Sequence, residues 1–162
     1  MRSRVGMMTL TFMTPALPEN IDMLSRPVTY LTYESRSTDG KSHEVQVYFD
    51  ASAELTVNTS AQQVEWSPEE VGNLAVCKIG SKAQPVLAKR GDDIRIDWGY
   101  LYIAAPKDAV ASRAFAGRGA VQSGFVENGM QSAIDSPEAP AAADAINAAV
   151  VLKPVKVGRK PV

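Results

Sequence analysis

Residues 27–55 read PVTYLTYESRSTDGKSHEVQVYFDASAEL. Pro27 to Glu34 is rich in β-branched and aromatic side chains, which suit the pleated, half-buried surface of a strand. Ser37-Thr38-Asp39-Gly40 interrupts it, and Asp-Gly tolerates the positive φ of a tight hairpin turn. His43 to Leu55 resumes as a strand, with Val45, Val47 and Phe49 on one face and Glu44, Gln46, Tyr48 and Asp50 on the other. The stretch predicts two strands paired antiparallel.

Period-2 patterning extends to both sides. Met8, Leu10 and Phe12 alternate with Thr9 and Thr11, the pattern of a half-buried strand, and residues 14–24 read as a connection. Downstream, Val64 to Trp66 reads as a short strand stopped by Ser67-Pro68. Leu74 to Ile79 is another, closed by Gly80, and Val86 to Lys89 a further short candidate. After Arg90-Gly91-Asp92-Asp93, the residues Ile94, Ile96, Trp98, Tyr100 and Tyr102 alternate along one strand face.

Past Pro106 the character changes. Ala109 to Phe115 is read as a short helix, and Gly117, Gly119, Gly124 and Gly129 break up the next stretch. Ser136-Pro137-Glu138 resembles a helix start leading into the Ala-rich residues 139–149. Val150 to Val157 returns to strand character, with Pro154 implying an edge or a bulge. Six to eight short strands without βαβ alternation predict an all-β, mainly antiparallel β-sandwich with a few short helical segments in its C-terminal third. The expected organisation is one domain over residues 1–162.

Composition narrows the function. The chain carries 17 Lys plus Arg against 18 Asp plus Glu, a formal net charge of −1. Without clustered positive charge, nucleic acid is not an expected partner. The apolar runs fall well short of the ~20 residues of a membrane helix, so no membrane partner is expected. The N-terminus lacks the sustained apolar stretch of a secretory signal.

The chemistry-bearing residues are sparse. Cys77 is the sole cysteine and lies in the apolar run 74–79, so a buried, inert thiol is preferred to a nucleophile. His43 is the sole histidine; it sits at a strand start, where a structural or surface role is preferred to a general base. Asp92, Asp93 and Asp97, with Asp39 and Asp50 elsewhere, lack calcium-loop spacing, and Arg90 and Arg95 favour ion pairing or solvation. Trp66, Trp98, Tyr100 and Tyr102 suit a sugar-stacking platform, but alternating aromatics favour the core. Arg90-Gly91-Asp92 and the sequon Asn58-Thr59-Ser60 are short patterns of high chance frequency. Gly117-x-Gly119 lacks the third glycine and strand context of a dinucleotide loop. No catalytic, cofactor-binding or metal-binding residue is assigned, and no cofactor is expected.

Two stretches carry a family resemblance: TFMTPALPENIDMLSRPVTYLTYESRSTDGKSHEVQVYFDASAEL, Thr11 to Leu55, and GDDIRIDWGYLYIA, Gly91 to Ala104. With S-x-P-x-x-Y-L, S-T-D-G-K-x-H-x-V-x-V-Y-x-D and W-G, they resemble the β-sandwich region of glutaminase A-like proteins of bacteria and fungi. The closing VVLKPVKVGRKPV is also similar, although Lys153-Pro154 departs from the acidic and glycine character usual there. The firm resemblance covers a little over one-third of the chain. Residues 107–147 match poorly.

The resemblance implies a non-catalytic N-terminal domain, packed on and stabilising an (α/α)6-barrel in a two-domain hydrolase. It implies a parent that converts glutamine to glutamate and ammonia in the periplasm or outside the cell. On the resemblance, His43 holds the preceding turn by a hydrogen bond. The chain stops soon after a strand at 150–157, which on this reading marks it as a fragment of that parent. The alternatives are a carbohydrate-binding sandwich module and, least favoured, a self-contained hydrolase. One histidine, one cysteine and no nucleophile elbow argue against the last.

Overall fold

The computed structural model describes residues 5–92, 95–129 and 138–162. In chain order its strands are β1 (Gly6–Met13), β2 (Tyr30–Ser37), β3 (His43–Val45), β4 (Tyr48–Ser52), β5 (Gln63–Val71), β6 (Leu74–Ser81), β7 (Tyr100–Pro106), β8 (Val110–Ala116), β9 (Ala141–Ala142), β10 (Asn147–Leu152) and β11 (Val155–Val157). Two α-helices, α1 (Ile21–Leu24) and α2 (Arg118–Asn128), and two 3-10 turns join them. The chain folds as two compact units, residues 46–153 and residues 1–45 with 154–162.

The larger unit is an antiparallel β-sandwich with no closed barrel. One sheet has the order β4-β10-β8 and the other β7-β6-β5-β9. The register places Phe115, Ala148 and Val150 of the first sheet on the same side as Arg113. Cys77 and Ile79 of the second sheet share a face with Ile103 and Leu101. These residues form the core with Val64 and Ile146. Arg113 reaches across to the second sheet, donating from Nη1 to the carbonyls of Glu69 at 2.7 Å and Val76 at 2.9 Å. These bonds satisfy backbone acceptors beyond the ladder and tie the two sheets together.

Helix α2 covers the other face of the first sheet. Its Val121 packs with Ala114, Ala116, Ala149 and Val151, and Phe125 stacks on Tyr48 at 5.1 Å between ring centroids. Gly129 ends the helix in the left-handed conformation, φ +67°, where a glycine costs no Cβ strain.

Several expectations are corrected here. Ala109–Phe115 is not helical: Val110–Ala116 is strand β8, and the helix is α2, which contains two of the glycines read as breakers. The Ala-rich residues 141–149 form β9, a 3-10 turn and the start of β10; Ser136 and Pro137 lie outside the described residues. Both errors share a cause. Ala114 to Ala116 and Asn147 to Val151 are buried on both faces, by core and helix, so the period-2 signal vanishes. Strand β5 runs through Pro68 because β9 pairs only with Gln63 and Val64, leaving an open edge where proline's missing donor costs nothing. Val86–Lys89 forms no strand, and the Tyr100 strand begins at Tyr100 rather than at Ile94, which lies outside the described residues.

In the smaller unit, β1 and β2 pair from Gly6 opposite Ser37 to Met13 opposite Tyr30. The Asp39-Gly40 turn is present, with Gly40 at φ +77°, but its two arms do not pair as a hairpin. The C-terminal segment takes their places. Strand β3 pairs with β11, while the Ser37 and Ser35 amides donate to the carbonyls of Gly158 and Val162. Strand β1, expected to be half-buried, is exposed along its whole length.

Candidate functional site

The outer face of the four-stranded sheet gathers the chemistry of the larger unit. In register, Tyr100 stands opposite Gly80 and Tyr102 opposite Lys78 on β6, and Glu65 and Ser67 come next on β5. Because Leu101 and Ile103 turn inward, both tyrosines turn out, 45% and 53% exposed. Their ring centroids lie 6.2 Å apart at 56°. The core assignment is therefore corrected for Tyr100 and Tyr102, whereas Trp66 packs against the core with Phe115 at 6.4 Å. Sequence alternation gave the right grouping on the strand but not which of its two faces meets the core.

Lys78 Nζ stands 4.3 Å from the Tyr100 centroid and 3.3 Å from the Glu69 carboxylate. The Glu69 hydrogen bond raises the lysine's pKa and keeps it charged. Gly80 makes room for Tyr100: a Cβ there would fall 2.5 Å from the ring and 2.6 Å from the Gly99 carbonyl.

The loop leading into β7 is pinned to the same end of the sheet. Gln84 mimics a strand partner, accepting from the Gly99 amide at 2.7 Å and donating to the carbonyls of Gly99 at 3.0 Å and Ser81 at 2.7 Å. Buried Asp97 pairs with Lys89 and accepts from Gln62 Nε2 at 3.1 Å. Lys89 is the main cause that lowers the Asp97 pKa, with Gln62 adding to it. Gln62 in turn accepts the amides of Asn58 and Thr59, which fixes the turn holding the sequon. Gln84 and Leu87 both have positive φ, 41° and 52°, and the Leu87 side chain is 76% exposed. Nothing in the sequence marks Gln62 and Gln84, because amide clasps follow no spacing rule.

The remaining candidates are dispersed. His43 Nε2 lies 2.8 Å from Asp39, which also accepts from Ser37 Oγ and the Lys41 amide. Ser37 bonds the aspartate and not the imidazole, so the three form a turn clasp rather than a nucleophile–base relay. The His43 bond is the largest cause holding the Asp39 carboxyl far below the usual carboxylate range. Cys77 is buried, and burial raises its thiol to about 11. Asp50 accepts from Asn147 at 2.8 Å. Arg90, Gly91 and Asp92 are exposed, and Asp93 lies outside the described residues. Gly117 does follow a strand and open a helix, correcting the missing strand context, but the sheet there is antiparallel. Among the described residues, no three His, Cys, Asp or Glu side chains group to hold a metal ion. No described helix is long and apolar enough to cross a membrane.

Residues 2–161 match a family described as "Domain of unknown function (DUF5127)". The chain belongs to the DUF5127 family. It is also similar to Glutaminase A from Aspergillus oryzae (strain ATCC 42149 / RIB 40), 28% identical over 98 residues. That match takes in 60% of the chain but only 14% of the length of the relative. The family match spans residues 2–161, while the similarity to Glutaminase A covers 60% of the chain.

Proposed function

We propose that this DUF5127 domain is a non-catalytic accessory domain of a glutaminase A-like protein, seated on the larger catalytic part of its parent. The parent would hydrolyse glutamine to glutamate and ammonia outside the cytoplasm, with an (α/α)6-barrel as the catalytic part. The observation that carries this is the β1–β2 ribbon. One of its faces collects Met8, Leu10 and Phe12 with Leu31 and Tyr33. Phe12 is 67% exposed and Leu10 52%. A two-stranded ribbon is marginal in water, and exposed apolar faces of this kind mark interaction surfaces. Covering each of these side chains contributes about 1 kcal/mol or more. The absence of a Ser–His or Cys–His pair among the described residues, with Cys77 buried and His43 bound to Asp39, favours a supporting role over chemistry.

The test is a pair of substitutions, Leu10→Ser with Phe12→Ser, made in the isolated chain and in the full parent. The isolated chain should keep its melting temperature, because these residues lie outside its core clusters. The parent should lose several degrees and part of its glutamine turnover. An unchanged parent, or glutamine turnover by the isolated chain, overturns the proposal.

A further inference from the structure

We infer that the outer face of the four-stranded sheet binds a neutral pyranose unit of an oligosaccharide, stacked on Tyr102 and bordered by Tyr100 and Lys78. This inference does not rest on the accessory role proposed above. Tyr100 and Tyr102 are aromatic groups of that face, which also carries Val71 and Leu74 at its far end, and each ring sits about half in solvent although β6 and β7 bury their alternate residues in the core. Tyrosine combines an apolar ring with a polar tip and is enriched where proteins meet partners, so half-exposed rings of this kind suit a binding surface. The surroundings select the ligand class. Glu65, Ser67, Glu69 and Lys78 border the rings with carboxylate, hydroxyl and ammonium groups. An extended apolar protein surface would have to desolvate all of them.

The charges select further. Lys78 is already compensated by Glu69 at 3.3 Å, and Ser67 Oγ donates to the same Glu69 at 3.2 Å. Glu65, exposed on the same face, leaves one net negative charge among Glu65, Glu69 and Lys78. That charge disfavours a phosphate, and the Glu65 and Glu69 carboxylates can accept from the hydroxyls of a neutral polyol. The flat apolar side of a sugar ring meets the aromatic ring, and its equatorial hydroxyls reach the polar border.

The site is also preformed. Gly80 lets Tyr100 lie close over β6, and Lys78 holds that ring from 4.3 Å. The Gln84 clasp fixes both backbone groups of Gly99, the residue before Tyr100. Tyr100, the ring that borders the stacking position, therefore loses little side-chain freedom when a ligand arrives, which favours affinity.

The experiment titrates the chain with maltohexaose, cellohexaose, laminarihexaose and mannohexaose, monitored by calorimetry and by saturation-transfer NMR. At least one should bind with a dissociation constant on the order of 0.1–1 mM. Tyr102→Ala should weaken that binding roughly tenfold, the change a lost ring contact produces. Tyr102→Phe should retain it, because stacking does not need the hydroxyl. Thermal melting of Tyr102→Ala should match the wild type, which separates lost contact from lost fold. Saturation transfer should be strongest at the ring protons on the stacked face of the bound sugar. No binding of any probe up to about 10 mM overturns the inference. So does binding that survives Tyr102→Ala, or that the Phe variant loses as fully as the Ala variant. If Tyr100→Ala or Gly80→Ala destabilises the fold, the Tyr102 pair still decides the matter.

Discussion

Gly80→Ala places one methyl group where two different obstacles stand. The added Cβ would meet Tyr100 Cδ1 at 2.5 Å and the Gly99 carbonyl oxygen at 2.6 Å. The two obstacles differ in how far they can yield. Tyr100 is nearly half exposed and can swing outward. The Gly99 carbonyl cannot move so cheaply, because Gln84 holds it at 3.0 Å and holds the Gly99 amide at 2.7 Å. Overpacking of this kind costs about 1–3 kcal/mol, and the backbone share should dominate. At roughly 2–4 °C per kcal/mol for a chain of this size, the melting temperature should fall by about 4–8 °C at ~2 kcal/mol. Differential scanning calorimetry reads this directly. The double variant Gly80→Ala/Tyr100→Ala separates the obstacles, and it should regain less than half of the loss. Gly119→Ala gives the opposite sign: nothing lies within 4 Å of its Cβ position in α2, and helix propensity adds up to about 1 kcal/mol. A Gly80→Ala melting temperature within about 1 °C of the wild type, or full recovery in the double variant, refutes the reasoning.

Other outcomes rest on the same geometry. Gln84→Ala strips partners from Ser81 and Gly99 and should cost about 1–3 kcal/mol, read as a lower urea midpoint with an unchanged m-value. Asp39 carries a folded-state pKa depressed below its unfolded value by His43, the Lys41 amide and Ser37. Its stabilising contribution is therefore complete above about pH 4 and is lost as the pH falls towards the folded value. Asp39→Asn should flatten that acid limb in urea titrations run at successive pH values; an unchanged limb refutes it. Cys77, buried with its thiol raised to about 11, should resist an aromatic disulfide reagent at neutral pH until denaturant unfolds the chain. Stoichiometric labelling of the native protein contradicts that.

Strand β1, strand β2 and the Asp39-Gly40 turn are legible in the sequence because alternation and turn chemistry act locally. The pairing beyond the turn is not. The partner of β3 is β11, more than a hundred residues away, and a hairpin is the default guess wherever two strands flank Asp-Gly. Strand β10 hides for a different reason: core on one side and α2 on the other make every position from Asn147 to Val151 buried, so an Ala-rich strand looks helical. The tyrosine face shows a third limit. Alternation groups Tyr100 with Tyr102, but Leu101 and Ile103 supply an equally apolar opposite face, and only the sheet decides which one turns inward.

The position of β10 also sets an order in time. It is the middle strand of its sheet, and both β4 and β8 bond to it rather than to each other. The Asn147–Asp50 hydrogen bond spans 97 residues. During synthesis from the N-terminus, β4 and β8 emerge first and wait with their bonding edges open. The sheet closes only when the segment around residue 150 leaves the ribosome. A nascent chain stalled before that point exposes two templates for foreign strands at once. For this protein the interval between translating β8 and translating β10 is when both outer strands of that sheet await their shared partner.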